Sequence, residues 1–400
     1  MAIGIVANKV VYSIPGIRLA TVKAGVRYPE RKDLVLIEIA PGSQVSAVFT
    51  QNSFAAAPII IAKKHLAQTN PRYLIINTGN ANCGTAEQGL NDTLEVCASL
   101  ASVCQVKAQE ILFFSTGVTF EYLPTKPIID NLSNLVTKLN QDAWLDAAEG
   151  IMTTDTVAKS ASVNFKINGE EITITGIAKG SGMIRPDMAT MLCFVATDAK
   201  ISSKSLDKML RFANQKSFNR ITIDGDTSTN DACVLIATAK GYELTDEDEP
   251  IFLKHLTELL QKLAQDMVRD GEGATKFISI KVSSGNSEAD CLKVAYSVAD
   301  SPLVKTAFFA SDPNVGRIVV AIGNAKINQL DASKVKMWLN DKLVCNGGID
   351  VNYNESDLQT VMQQDEIEIH IDLAMGDYTE TIWTCDLSLD YVKINSDYRS

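Results

Sequence analysis

The residues best suited to chemistry fall in one stretch, Gly176-Ile-Ala-Lys-Gly-Ser-Gly-Met-Ile-Arg-Pro-Asp-Met-Ala-Thr190-Met-Leu-Cys193. A lysine stands among glycines at one end, an apolar run that reads as a strand closes the other, and Ala189 precedes Thr190 at the junction. Attack of the Thr190 hydroxyl on the Ala189 carbonyl, followed by an N→O acyl shift and ester hydrolysis, would leave Thr190 as a new N-terminus. An α-amine has a reference pKa of about 7.7–8.0, and one within reach of its own hydroxyl can serve as that hydroxyl's general base. Ala189 leaves the bond uncrowded, and the turn at Pro186 could hold it strained. The same residue types also suit a core threonine that starts a strand, so the stretch alone leaves both readings open.

Other constellations are weaker. Lys179 precedes its glycine, so the stretch lacks the Gly-Lys-Ser/Thr order of a phosphate loop, and Ser181 is not centred in a nucleophile elbow. The three histidines, His65, His255 and His370, neighbour no candidate nucleophile in sequence. Any hydroxyl nucleophile therefore needs a different base. Ser115-Thr116-Gly117 ends an apolar run and presents a hydroxyl beside an unobstructed backbone N–H, a workable oxyanion-binding pair. Thr78-Gly-Asn-Ala-Asn-Cys-Gly84 suits a ligand-facing loop and a plain strand-to-helix turn equally. Gly225-Asp-Thr-Ser-Thr-Asn-Asp231 lacks the spacing of a calcium loop, and capping or turn chemistry is its expected role.

These groups need a sizeable scaffold, and 400 residues provide for two domains or one large layered one. A formal charge of −11 argues against nucleic acid or anionic membrane as partner. No basic segment with a long apolar core opens the chain, and no uninterrupted apolar run is long enough to span a bilayer. The eight cysteines are scattered without zinc spacing, as expected of reduced, mostly buried thiols in a cytoplasmic protein.

Helices are expected near 90–106, 126–139, 143–151, 203–214, 250–270, 286–298 and 302–309, and strands at 34–40, 45–50, 73–77, 111–114, 191–196, 218–224 and 367–372. Alternation across Val163–Ile167 and Ile172–Thr175, with Asn168-Gly169 between, predicts a hairpin leading into the lysine stretch. Interleaved hairpins and amphipathic helices indicate mixed sheets covered by helices, not a purely parallel doubly wound sheet.

Lys179-Gly-Ser-Gly-Met-Ile-Arg-Pro-Asp-Met-Ala-Thr-Met-Leu closely resembles the signature of the glutamate N-acetyltransferase (ornithine acetyltransferase) family of arginine biosynthesis. Ala56-Ala-Pro58, Asn77–Asn82, Ser115–Val118, Met152–Thr156, Asp224–Asp231, Asp270–Lys276, Asp312-Pro-Asn, Gly316-Arg-Ile and Asn395–Ser400 resemble it collinearly. The resemblance implies an α/β (α+β-like) fold, a four-layer α/β/β/α sandwich with mixed sheets, self-processed between Ala189 and Thr190. The fragments would be residues 1–189 (alpha) and 190–400 (beta), two copies of each assembling together. Thr190 would be the nucleophile, taking an acetyl group from N-acetylornithine and passing it to glutamate in ping-pong order. Thr116 and Gly117 would form the oxyanion hole.

Thr153, Lys179, Thr190, Glu272, Asn395 and Ser400 match the family's substrate-binding positions, with Thr154 the alternative to Thr153. Lys179 suits an α-carboxylate, and Glu272 the side-chain amine of ornithine. No cofactor or metal is implied; acetyl-CoA is a co-substrate of the bifunctional members, and the residues leave one or two donors open. A self-cleaving aminopeptidase, with water as acceptor, is the alternative. Arg185 and Asp187 stand where a small or neutral residue and an asparagine are more usual, and Val315 where tryptophan is.

Overall fold

The computed structural model describes all residues except 1, 6–10, 186–190, 352–353 and 397–400. It comprises two compact units, a larger one of 6–219 and 226–264 and a smaller one of 1–5, 220–225 and 265–400. Both units contain residues from either side of position 190, so they divide the chain differently from the expected fragments.

The larger unit contains β1 (Ile17–Val22), β2 (Leu34–Ile39), β3 (Gln44–Phe49), α1 (Ala57–Leu66), β4 (Tyr73–Asn80), α2 (Ala86–Cys104), β5 (Ile111–Val118), α3 (Thr125–Thr137), α4 (Trp144–Gly150), β6 (Lys159–Ile167), β7 (Glu170–Lys179), β8 (Leu192–Thr197), α5 (Ser203–Gln215) and β9 (Ala232–Ala237). Helix α6 (Glu249–Arg269) closes it, the boundary falling after Ala264. One sheet runs β1-β2-β4-β5 and the other β3-β9-β8-β7-β6. Each is mixed, with β4–β5 and β8–β9 the parallel pairs.

Side-chain alternation assigns the faces. Val35, Ile37, Ile39, Leu74, Ile76, Leu112 and Phe114 of the first sheet share a core with Ile177, Leu192, Phe194, Ala196, Val234 and Ile236 of the second. The intervening Leu34, Leu36, Ile75, Ile111 and Phe113 pack on Val96 and Leu100 of α2 and Ile128, Leu132 and Leu135 of α3. Burial on both faces is why these strands read as unbroken apolar runs. Helix α5 packs on β3 and β9. Helix α6 covers β6 and β7, with His255 stacked on Phe165 at 4.0 Å between ring centroids and Leu259 and Leu263 over Gly176. The order is helices, sheet, sheet, helices, the four layers expected.

The smaller unit holds β10 (Phe277–Gly285), α7 (Glu288–Ala299), α8 (Pro302–Phe309), α9 (Val315–Asn324), β11 (Lys336–Leu339), β12 (Lys342–Asn346), β13 (Ile349–Asp350), α10 (Glu355–Met362), β14 (Glu366–Asp372), β15 (Tyr378–Cys385) and α11 (Leu389–Ser396). Its sheet, β13-β12-β11-β14-β10-β15, buries one face against α7, α8, α9 and α10.

The hairpin forms as expected: Ile167 pairs with Glu170, and Asn168 and Gly169 both take positive φ, as a two-residue turn matching strand twist requires. The strand expected over 218–224 does not. Phe218–Arg220 is a 3₁₀ turn, and Ile221 makes only an isolated bridge to Trp383. Phe218, Ile221 and Ile223 are buried, but so are the polar residues between them: Thr222 spends its hydroxyl on Asp300 and Arg220 pairs with Glu380. Helix α1 was not foreseen, although Pro58 lies in its first turn, where a missing N–H costs nothing. All eight cysteines are free thiols, and all but Cys104 are buried.

Phe194 meets Phe114 edge-on across the sheet interface, ring centroids 5.2 Å apart. Phe194→Ala should destabilise the protein by about 3–5 kcal/mol, read as a lowered urea midpoint with unchanged slope; a shift below about 1 kcal/mol would contradict the buried sheet-on-sheet contact.

Candidate active site

Three of the expected site residues meet where strands of the two facing sheets end. Lys179 is the last residue of β7, and Thr116 lies near the end of β5. Lys179 Nζ donates to Thr153 Oγ1 at 2.8 Å and to Thr116 Oγ1 at 3.4 Å. Thr154 turns instead to Ser181, hydroxyl to hydroxyl at 2.7 Å. Thr153, rather than Thr154, is therefore the threonine beside Lys179.

Beside Thr116, Gly117 has φ +136°, and a Cβ there would lie 2.3 Å from the carbonyl carbon of Gly79. Both the backbone angle and the approach of β4 restrict this position to glycine. The β4–β5 register shifts at this point, between Gly79 and Asn80. The asparagine-rich end of β4 fixes it: Ser115 Oγ donates to Asn77 Oδ1 at 2.5 Å, and Asn77 Nδ2 to Asn80 O at 2.9 Å. From the loop before β9, Asn230 Nδ2 reaches Ala81 O at 2.6 Å and Ser115 O at 2.9 Å. Asn82 bonds inward to Gly89 O and Thr93. Of the two readings open for this loop, the structural one describes these side chains. The 225–231 loop likewise serves backbone: Thr227 donates to Arg185 O at 2.9 Å, directly before the undescribed 186–190.

Asp155 organises the cluster. Its carboxylate has a side-chain exposure of 1%, and that of Lys159 is 0%. Oδ1 accepts from Lys159 Nζ at 2.7 Å and from Gly180 N at 2.6 Å. Oδ2 accepts from Thr153 N at 3.0 Å and lies 4.0 Å from Lys179 Nζ. Burial alone would push this acid's pKa up. The charges of Lys159 and Lys179 and the hydrogen bonds outweigh it, holding the group well below the usual carboxylate range. Sequence reasoning quoted Asp155 inside a motif without giving it a role, and passed over Lys159. The available signal was an aspartate among hydroxyl residues four positions before a lysine at the head of a strand.

In the smaller unit, Asn395 Nδ2 donates to Glu272 Oε2 at 2.8 Å. The turn carrying Glu272 is fixed by Asp386, which accepts from Thr275 N at 2.7 Å and Lys276 N at 2.9 Å. Gly273, with φ +69°, lets α11 approach: a Cβ there would meet Tyr391 N at 2.5 Å. Glu272 and Asn395 are thus brought together. Ala189, Thr190 and Ser400 lie outside the described residues, as does Asp187.

The ArgJ family profile matches residues 18–400, which include every one of these positions. The chain belongs to the ArgJ family. It is 51% identical to the arginine biosynthesis bifunctional protein ArgJ of Psychrobacter arcticus and 48% identical to that of Pseudomonas fluorescens, each over the full length of both chains. Among solved structures, the arginine biosynthesis bifunctional protein ArgJ of Bacillus halodurans is 36% identical, with 51% of this chain and 97% of that one covered and a TM-score of 0.49.

The pairing of Asp155 has a consequence for acid stability. Its folded pKa is depressed, so its contribution is complete above the unfolded value of about 3.9 and is lost as pH falls below it. Unfolding free energy measured from pH 7 downward should fall more steeply below about pH 4 in the wild type than in Asp155→Asn, which starts lower. Equal slopes would show that the carboxylate is not charged and paired in the fold.

Proposed function

We propose that this chain transfers the acetyl group of N-acetylornithine to glutamate through an acetylated Thr190. The observation that carries the reading is the cluster of Lys179, Thr153 and Thr116 at the ends of β7 and β5, in a member of the ArgJ family. Cleavage after Ala189 gives Thr190 a free α-amine, which removes the proton as the hydroxyl attacks the acetyl carbonyl. The Thr116 hydroxyl and the Gly117 N–H donate to the oxyanion. Collapse of the intermediate breaks the amide C–N bond, and the Thr190 ammonium returns its proton to the departing amine of ornithine. The amine of glutamate then attacks the acetyl ester by the reverse steps.

Ionised Lys179, beside Thr153, meets the α-carboxylate of either substrate in a charge-assisted hydrogen bond. Glu272, with Asn395 and Ser400, receives the side-chain amine of ornithine. Both full-length relatives are named bifunctional, which supports glutamate acetylation by acetyl-CoA as a second activity. Full-length identity of 51% to an arginine-biosynthesis protein favours an amine over water as acyl acceptor. Cytoplasmic location and assembly of two alpha with two beta fragments complete the reading.

Intact-mass measurement of the purified protein should find chains of 189 and 400 − 189 = 211 residues. Thr190→Ala should give one uncut chain with acetyl transfer reduced by about 10⁴-fold or more. Full transfer by an uncut chain, or by the alanine variant, would overturn the mechanism. Replacing N-acetylornithine by acetyl-CoA in the same assay tests the second donor: acetylated glutamate is the expected product.

A further inference from the structure

Two lysines flank the one buried carboxylate of Asp155, and they do so unequally. Lys159 and Lys179 lie on neighbouring strands, Lys159 paired in register with Ala178. Lys159 Nζ touches Oδ1 at 2.7 Å, whereas Lys179 Nζ stands 4.0 Å from Oδ2 and bonds Thr153 Oγ1 at 2.8 Å. Gly180 N and Thr153 N take further lone-pair positions on the same carboxylate. An ionised carboxylate accepts about four hydrogen bonds, so three donors besides Lys179, one of them the charged Lys159, leave at most one position for that lysine.

We propose that Lys159 is a positioning residue: it occupies the Asp155 carboxylate so that Lys179 is not drawn into a close ion pair and stays beside Thr153 to meet the substrate carboxylate. The proposal rests on Lys179 being the carboxylate contact, as argued above. Without Lys159, Lys179 is the cation left beside the Asp155 carboxylate, in a buried setting where attraction between ions is strong. Closing the 4.0 Å separation to hydrogen-bond length would pull the ammonium away from Thr153.

The test compares two acetyl donors, N-acetylornithine and N-acetyl-1,4-diaminobutane, the same molecule without its carboxylate. Wild type should favour the acid by about tenfold or more in kcat/KM, the size of one charge-assisted hydrogen bond. Lys159→Met should erase most of this preference by raising KM for the acid alone. Lys159→Met with Asp155→Asn removes the captor as well as the decoy, and should restore the preference to within about threefold of wild type.

A Lys159→Met variant that loses activity on both donors equally has only a structural defect, and the proposal fails. It fails also if the double variant leaves the preference lost. Should Lys159→Met not fold, the double variant, which buries no unpaired charge, decides alone: a wild-type preference supports the proposal and a lost one overturns it. A wild-type preference near one would instead refute Lys179 as the carboxylate contact, and absence of transfer by wild type would refute the acetyltransferase reading itself.

Discussion

Face-to-face packing of two sheets, each covered by helices on its other side, governs the larger unit. Strands buried on both faces have no mid-strand position at which a charged or hydroxyl side chain can sit without losing its water. Chemistry is therefore confined to strand ends. Lys179 closes β7, and Thr116 and Gly117 lie in the last residues of β5. The layer order that makes the core dry also brings the ends of strands from different sheets to one place.

At such an edge, polar groups must hold one another. Asp155 binds the turn after α4 to the end of β7 through two backbone N–H groups, while two lysines supply its countercharge. Asn77 at the end of β4 and Asn230 before β9 do the same for β5, filling the edge with side-chain amides that replace backbone partners. Each is a buried polar network with its bonds made, the condition under which such a network rigidifies its surroundings. In the smaller unit Asp386 plays the equivalent part for the turn that carries Glu272.

Much of the scaffold was legible because its signals are local. Asn168-Gly169 specifies its own turn, and the stripe of Leu256, Leu259, Leu260 and Leu263 marks the buried face of α6. Segment 218–224 misled because its apolar residues are buried without a partner strand, in a 3₁₀ turn followed by an isolated bridge rather than a ladder. Among the expected site residues, chain chemistry pointed to Thr116 and Gly117, and the family resemblance supplied Thr153, Lys179, Glu272 and Asn395. The roles of Asp155 and Lys159 were not legible, since an aspartate and a lysine four residues apart are ordinary on any surface. Only the fold shows both side chains enclosed. The fold also separates Thr153, which bonds Lys179, from Thr154, which bonds Ser181, although their sequence context does not.

The close approach of Gly117 to Gly79 carries a lesson for redesign. Because the backbone of Gly79 occupies the space of the side chain that Gly117 lacks, position 117 is a historical commitment, closed to gradual exploration while the strands stay in register. An engineer seeking more room at the end of β5 gains nothing at that wall. Variation has to enter through the hydroxyl side chains around it, which can change size one at a time without unseating the backbone they decorate.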